Sequence, residues 1–255
     1  MENRTLNERT LVWAHRGASA YAPENTLPAF ALAAEMQADG IELDVHLSKD
    51  GKIVVNHNFD IWDAETDTKY FIRDLTYDEI AKINVNNQRD DFKEKYGFVK
   101  APLLDEVYEL LAPTGLTVNV EIKSDEEELP GMCIELARKY DMQDKVYYSA
   151  FNHKNLLKLH ETDYTVPTAP LYCTRILFPW VYANLIEASA LHPDWGQLFE
   201  VPGMIRECHA RGIRVNPWTV DDEGVMKRCI EAGADALITD LPDVARRIIL
   251  EHFEK

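Results

Sequence analysis

The chain has few cysteines, a shortage of positive charge and no long apolar run. Its four cysteines, Cys133, Cys173, Cys208 and Cys229, are scattered with no C-x-x-C pair. That pattern argues against a disulfide framework and predicts reduced thiols packed as small hydrophobes. Lys and Arg total 27 against 44 Asp and Glu, a formal net charge of -17. Nucleic acid or an anionic membrane surface would need a basic patch, so neither is expected as a partner. An anionic substrate would be repelled at long range, so a site for one needs local positive charge from a metal, Arg or Lys. No stretch approaches the ~18 apolar residues of a membrane span. The opening MENRTLNERT carries no apolar leader core, and the expectation is a cytoplasmic protein. Neither G-x-G-x-x-G nor G-x-x-x-x-G-K-[ST] occurs, which removes the main signals for a doubly wound nucleotide-binding sheet.

What is present is an alternation of apolar runs and amphipathic segments over 255 residues with 46% apolar content, enough to bury a full core as one domain. Strands are predicted at 11–15, 41–47, 117–123, 146–151, 166–172, 187–193, 213–219 and 236–239. They are rich in Val, Ile and Tyr and mostly apolar on both faces, as covered parallel strands must be. Helical patterns at 27–36, 129–140, 203–212, 223–233 and 242–250 lie between them; two end on Gly212 and Gly233, and one opens on Pro242. Eight strands alternating with helices in a chain of this length predict a (β/α)8 TIM barrel. About 45 residues after His57 break the rhythm. Residues 58–101 read as a lid-like insertion, with a capping box from Thr76 to Glu79, expected over the barrel mouth.

In such a barrel chemistry gathers at the C-terminal ends of the strands, and reactive residues cluster there. In IELDVHL, Glu42, Asp44 and His46 alternate and so share one strand face. Glu121, from VEIK on the following strand, brings a third carboxylate, and Lys123 shares its face. Carboxylates inside a barrel are costly unless paired with cations, and three without sulfur ligands favour Mg2+, Ca2+ or Mn2+ over zinc. His46 is read as a packing or supporting residue. His15 ends the first strand beside Arg16, whose fork can bind two phosphate oxygens. His57 ends IVVNH, which the turn at Asp50–Gly51 folds back from the second strand. Two histidines beside a metal site suit phosphodiester cleavage, which needs one proton taken from the nucleophile and another given to the leaving alkoxide. The other histidines are read as surface or core.

HRG-x5-PENT, then E-x-D, K-DG, a strand-ending His and a later E-I-K resemble the glycerophosphodiester phosphodiesterase family. The resemblance continues through SAFN (149–152), HP (192–193), NPWTV (216–220) and GADALITDLPD (233–243). It implies a TIM barrel with a small insertion after the second strand. It also implies Glu42, Asp44 and Glu121 as ligands of one divalent cation, and His15 and His57 as general base and acid. Arg16 and Lys123 would hold the phosphate, and Trp218 would line the pocket. The implied activity is metal-dependent hydrolysis of small-molecule glycerophosphodiesters to glycerol 3-phosphate and an alcohol. A lysophospholipase D-like activity, with Phe178, Trp180 and Trp195 lining an acyl groove, and a non-catalytic phosphoester-binding barrel are the alternatives. Three positions depart from the family pattern. Asn58 stands where the family usually has Asp after the second histidine, Ser48 stands for Thr before the DG turn, and Pro102-Leu103-Leu104 replaces P-T-L.

Overall fold

The computed structural model describes residues 9–86 and 89–253. The opening segment read above for a leader therefore lies outside the described residues as far as residue 8. Eight parallel strands form the barrel: β1 (Leu11–His15), β2 (Gly40–Leu47), β3 (Thr117–Ile122), β4 (Val146–Ala150), β5 (Thr168–Tyr172), β6 (Ala190–Pro193), β7 (Arg214–Val215) and β8 (Ala236–Thr239). The ladder runs from β7 down to β1 in order and then to β8. Between β7 and β8 the ring is joined by separate backbone bonds, Asp235 N–H to Val215 O (2.9 Å) and Ile238 N–H to Pro217 O (3.0 Å). The return helices are α1 (Leu27–Glu35), α2 (Leu104–Leu111), α3 (Leu129–Lys139), α4 (His153–Thr162), α5 (Pro179–Leu185), α6 (Met204–His209), α7 (Glu223–Ala232) and α8 (Pro242–Phe253). This is the (β/α)8 barrel that the alternation predicts.

The strand pattern explains the layering. Ile41, Leu43 and Val45 point outward into a cluster with Phe30, Val107 and Leu111, each burial giving about 1.5–3 kcal/mol. The opposite face of β2 turns Gly40, Glu42 and Asp44 toward the barrel axis. The apolar face thus offsets the cost of carboxylates inside. Trp13 fills the barrel centre with Ala236 and Ile238. Gly40 makes room for it, since a Cβ there would lie 2.8 Å from Thr117 O and 3.0 Å from the indole.

Five strands are shorter than predicted, two of them by three residues or more. The 213–219 run pairs as a strand only at Arg214–Val215, because Pro217 has no N–H for the ladder; Trp218 rejoins through a bridge to Asp194. The 187–193 run pairs only from Ala190, after Glu187 takes the left-handed conformation at φ 56°. Residues 203–212 are helical only over Met204–His209. All four cysteines are free, and only Cys173 is exposed. No helix among the described residues is long and apolar enough to cross a membrane.

The segment after His57 forms a two-stranded hairpin (Asp60–Asp63 with Thr68–Phe71) and two short helices, Tyr77–Ile80 and Asp90–Tyr96. Ile61, Ile72, Ile80, Ile83 and Ala101 give it a small core of its own over Val54. The predicted capping box is present, with Thr76 N–H donating to Glu79 at 2.8 Å. Its later part grips the loop after β1: Arg89 donates to Ala20 O (3.0 Å) and Tyr96 to Tyr21 O (3.1 Å).

Candidate active site

The register of the first three strands assembles the site. His15 lies opposite Glu42 across the β1–β2 ladder, and Asp44 lies opposite Glu121 across β2–β3. In parallel pairing, partners project to the same side, so all four enter the barrel together. One ligand oxygen from each of Glu42, Asp44 and Glu121 comes within 4.8 Å of the others, and all three residues are buried.

The loop after β1 serves this cluster residue by residue. Arg16 (φ 55°) and Asn25 (φ 56°) both take the left-handed conformation, an uncommon state for side chains that lack local compensation. The compensation is visible. Arg16 N–H donates to Glu42 (3.0 Å), and its guanidinium binds Glu24 (3.0 Å). Asn25 clamps Asp44 twice, donating Nδ2–H to the carboxylate (2.8 Å) and accepting from its backbone N–H (3.2 Å). Gly17 (φ 82°) is required between them, since a Cβ would sit 2.7 Å from Ala29. Thr26 then caps α1, accepting from Ala29 N–H with Pro28 in the first turn.

His57 arrives by a different route. Val45, His46 and Leu47 pair antiparallel with Val55, Val54 and Ile53. The turn between them is closed by Ser48, which donates to Asp50 (2.7 Å) and accepts from Lys52 N–H (2.9 Å). The Ser48 substitution therefore keeps the hydroxyl the turn needs. His57 Nδ1–H donates to Asn58 Oδ1 at 3.1 Å, and His46 Nε2–H supports the His57 carbonyl at 3.3 Å. Burial pulls the His46 imidazole down to about 4, so it stays neutral and supporting, as read from the sequence.

Charge is packed tightly here. Lys123 Nζ lies 2.9 Å from Glu121 and 3.5 Å from Asp44, and Arg16 Nε lies 3.6 Å from Asp44. Burial opposes ionisation of Asp44, yet Lys123 and Arg16 hold it below its ordinary value. Burial and the neighbouring carboxylates push Glu42 well up, and burial with Asp44 lifts Glu121 to about 7. Two cations do not neutralise three buried carboxylates, and the cluster fits one further hard cation held by oxygen ligands.

These groups line a small cavity of about 60 Å3 with His15, Arg16, Glu42, His57, Glu121, Lys123 and Trp218 on its walls. Trp218 is fixed by its Nε1–H bond to His192 O (2.7 Å) and by Phe151 edge-on at 5.4 Å. Below, Asn119 donates to Ser149 and Asn216 to His192, each at 3.0 Å. His192 is fully buried core, as expected. Trp180 is buried and Trp195 packs on Phe199, and neither they nor Phe178 line the cavity. A roomier cleft of about 420 Å3, between Arg138, Tyr147 and Arg214, opens at the strands' N-terminal ends, away from the carboxylate cluster.

The structure thus brings together the eight residues expected at the catalytic, phosphate and metal positions, His15, Arg16, Glu42, Asp44, His57, Glu121, Lys123 and Trp218, but not the three aromatics of the acyl-groove alternative. Sequence reasoning missed Glu24 and Asn25, although both lie inside the PENT motif. It also missed Asp240, which accepts from His15 Nδ1–H at 2.7 Å; its signal was the TDLPD motif at the end of the last strand.

Known proteins give the same picture. The profile of the glycerophosphoryl diester phosphodiesterase family matches residues 15–244. A glycerophosphodiester phosphodiesterase from Caldanaerobacter subterraneus is 38% identical over 244 residues, covering 94% of this chain and 98% of that protein. The solved structure of a putative glycerophosphoryl diester phosphodiesterase from Silicibacter pomeroyi superposes with a TM-score of 0.85 at 23% identity, covering 98% of this chain and 97% of the other. An Oleispira antarctica phosphodiesterase, solved in complex with the product sn-glycerol-3-phosphate, reaches 0.83 at 24% identity, covering 94% and 97% of the two chains. With the family profile spanning nearly the whole chain and a relative this similar in sequence, the protein belongs to the glycerophosphoryl diester phosphodiesterase family.

Proposed function

We propose that this protein is a phosphodiesterase that hydrolyses small glycerophosphodiesters to glycerol 3-phosphate and an alcohol. The observation that carries the reading is the buried trio Glu42, Asp44 and Glu121, walled by two histidines and two cationic side chains in one cavity. A bare phosphoester-binding barrel would need the cations but not the trio or the histidines. Four free cysteines suit a reducing, cytoplasmic setting, which is part of the same proposal.

Glu42, Asp44 and Glu121 would hold a divalent cation, Mg2+ or Ca2+ with Mn2+ also compatible, and that cation would supply Lewis-acid polarisation of the phosphate. Arg16, tied along one edge to Glu24, presents its remaining donors to the phosphate oxygens. Lys123 adds a point charge at the cavity wall. His15 takes the proton of the nucleophile, either a water or a hydroxyl of the substrate's own glycerol; in the second case the alcohol leaves behind a cyclic phosphate, and a water must then open that ring to give glycerol 3-phosphate. His57 gives a proton to the departing alcohol. Its Nδ1–H is spent on Asn58, so Nε2 is the atom that shuttles the proton. Trp218 bounds the cavity and limits water around the reacting phosphate.

The direct test incubates the purified protein with glycerophosphocholine in the presence of Mg2+ or Ca2+ and analyses the products. Choline and glycerol 3-phosphate are expected, and chelation should stop their release. Phosphocholine as product, or no turnover with Mg2+, Ca2+ or Mn2+, would overturn the reading. Faster turnover of lysophosphatidylcholine than of glycerophosphocholine would move the substrate class to lysophospholipids.

A further inference from the structure

His15 has two ring nitrogens, and only one of them faces the cavity. Its Nε2 lies 4.0 Å from Glu42, while Nδ1 points away to Asp240 at 2.7 Å. The Asp240 carboxylate is held below its ordinary value; burial works against this, and the hydrogen bond and charge of His15 outweigh it. An ionised carboxylate only accepts, so Nδ1 must carry the proton of the neutral ring. Nε2 is then a bare lone pair turned into the site.

Asp240 is itself anchored. Asp221 accepts from Asp240 N–H (2.9 Å) and from the Thr239 hydroxyl (3.0 Å), which fixes the backbone at the end of β8. Across the gap, Ala20 N–H donates to Asp240 O (3.3 Å), and Tyr21 donates to Asp243 (2.9 Å). The loop after β1 and the turn after β8 are thereby stitched together, with His15 between them. Barrel closure is what makes this possible, because β8 pairs with β1 although 225 residues separate the two side chains.

We propose that Asp240 is the positioning residue of His15: it fixes the tautomer and ring plane that place a free Nε2 lone pair on the nucleophile's side. The assignment rests on the phosphodiesterase reading for its kinetic consequence, but its structural content stands apart from it. The proton taken at Nε2 converts the ring to imidazolium, whose Nδ1–H stays bonded to the carboxylate; no proton passes to Asp240. A carboxylate in this role favours the charged ring in the transition state, by analogy with the acid–histidine pairs of hydrolases, where its loss costs roughly 10²- to 10⁴-fold in kcat.

The test is a double-mutant cycle together with a spectroscopic readout. Asp240→Asn should lower kcat on glycerophosphocholine roughly 10²- to 10⁴-fold with KM nearly unchanged. In a His15→Ala background the same substitution should cost almost nothing further, because its effect passes through a ring that is gone. A merely structural role would give losses that multiply, and that result would overturn the proposal, as would wild-type kcat in Asp240→Asn. Histidine ¹⁵N NMR of the cation-loaded wild-type protein, with the His15 signals identified by their absence in His15→Ala, reads the tautomer without turnover. Protonated Nδ1 and bare Nε2 are expected. The opposite pattern in the wild-type protein would overturn the proposal, whether or not Asp240→Asn folds. Absence of turnover by a wild-type protein showing the expected tautomer would count against the phosphodiesterase reading alone.

Discussion

The two sides of the cavity hold their histidines by different means. His15 ends a central barrel strand, and its Nδ1 is bonded to a carboxylate brought from the far end of the chain. His57 stands at the end of a short return arm outside the barrel ladder, and its Nδ1 is bonded to the amide of the next residue. The first arrangement favours a ring that becomes charged as it accepts a proton. The second holds the ring in place while compensating its charge only in part. Burial, with Arg16 and Lys123 nearby, pulls His57 below the ordinary histidine value, and Asp44 and the bond to Asn58 only partly oppose this. A ring that gives up its proton readily is what a general acid requires, at the cost of holding that proton only in more acidic solution.

The largest effect should come from what the two sides share. Asp44 is clamped by Asn25 and lies between Arg16 and Lys123, so Asp44→Asn strikes the carboxylate cluster and both basic side chains together. Turnover should fall by about 10³-fold or more, the order expected when several kcal/mol of charge stabilisation are lost. Activated and unactivated diesters should suffer alike. A loss confined to one substrate type would show that the cluster serves only one histidine.

The next substitution separates the sides. His57→Ala should cost roughly 10²-fold or more on glycerophosphocholine, whose alkoxide leaves poorly without a proton. A nitrophenyl diester, whose leaving group needs no proton, should be cleaved at nearly the wild-type rate. Equal losses in steady-state assays of both substrates would remove His57 as the acid and make the two sides equivalent.

How far this contrast could be read in advance depends on sequence distance. The surroundings of His57 are local. IELDVHLSKDGKIVVNHN runs through a strand, a tight turn and a return arm, so β-alternation and a DG turn are enough to bring His57 back beside Asp44. Glu42, Asp44 and Glu121 were equally legible, since their period of two on adjoining strands sets them on one face. Asp240 was not legible, because nothing short of barrel closure joins the end of the last strand to the first. Closure was itself part of the expected fold, however, and carrying it through would have placed Thr239–Asp240 beside Ala14–His15. Glu24 and Asn25 escaped for another reason. Their loop takes left-handed turns at Arg16 and Asn25 that no periodicity encodes, and only the resulting hydrogen bonds reveal why those residue types stand there. The insertion was legible as an interruption and by its capping box. Its docking on the loop after β1, through Arg89 and Tyr96, depends on tertiary contacts between polar side chains and backbone carbonyls.

The smallest expected effect is also the sharpest probe of the contrast, because it makes the His57 side resemble the His15 side. Asn58→Asp would place a carboxylate where the amide now accepts from His57 Nδ1. A negative charge at that nitrogen stabilises the imidazolium and raises the His57 value. The acid then keeps its proton to higher pH, so the alkaline limb of kcat/KM should move upward. Asn58 is exposed, and solvent screens such a pair, so the shift should stay below about one pH unit. The acidic limb should stay where it is, because the opposite wall of the cavity is untouched. In return, the variant's acid is weaker, and kcat at its optimum should fall slightly on glycerophosphocholine but not on the nitrophenyl diester. Paired pH profiles on the two substrates check both halves of this statement. An acidic limb that moves with the alkaline one would mean that the two histidines titrate as one system, and the division of labour between the sides would fail.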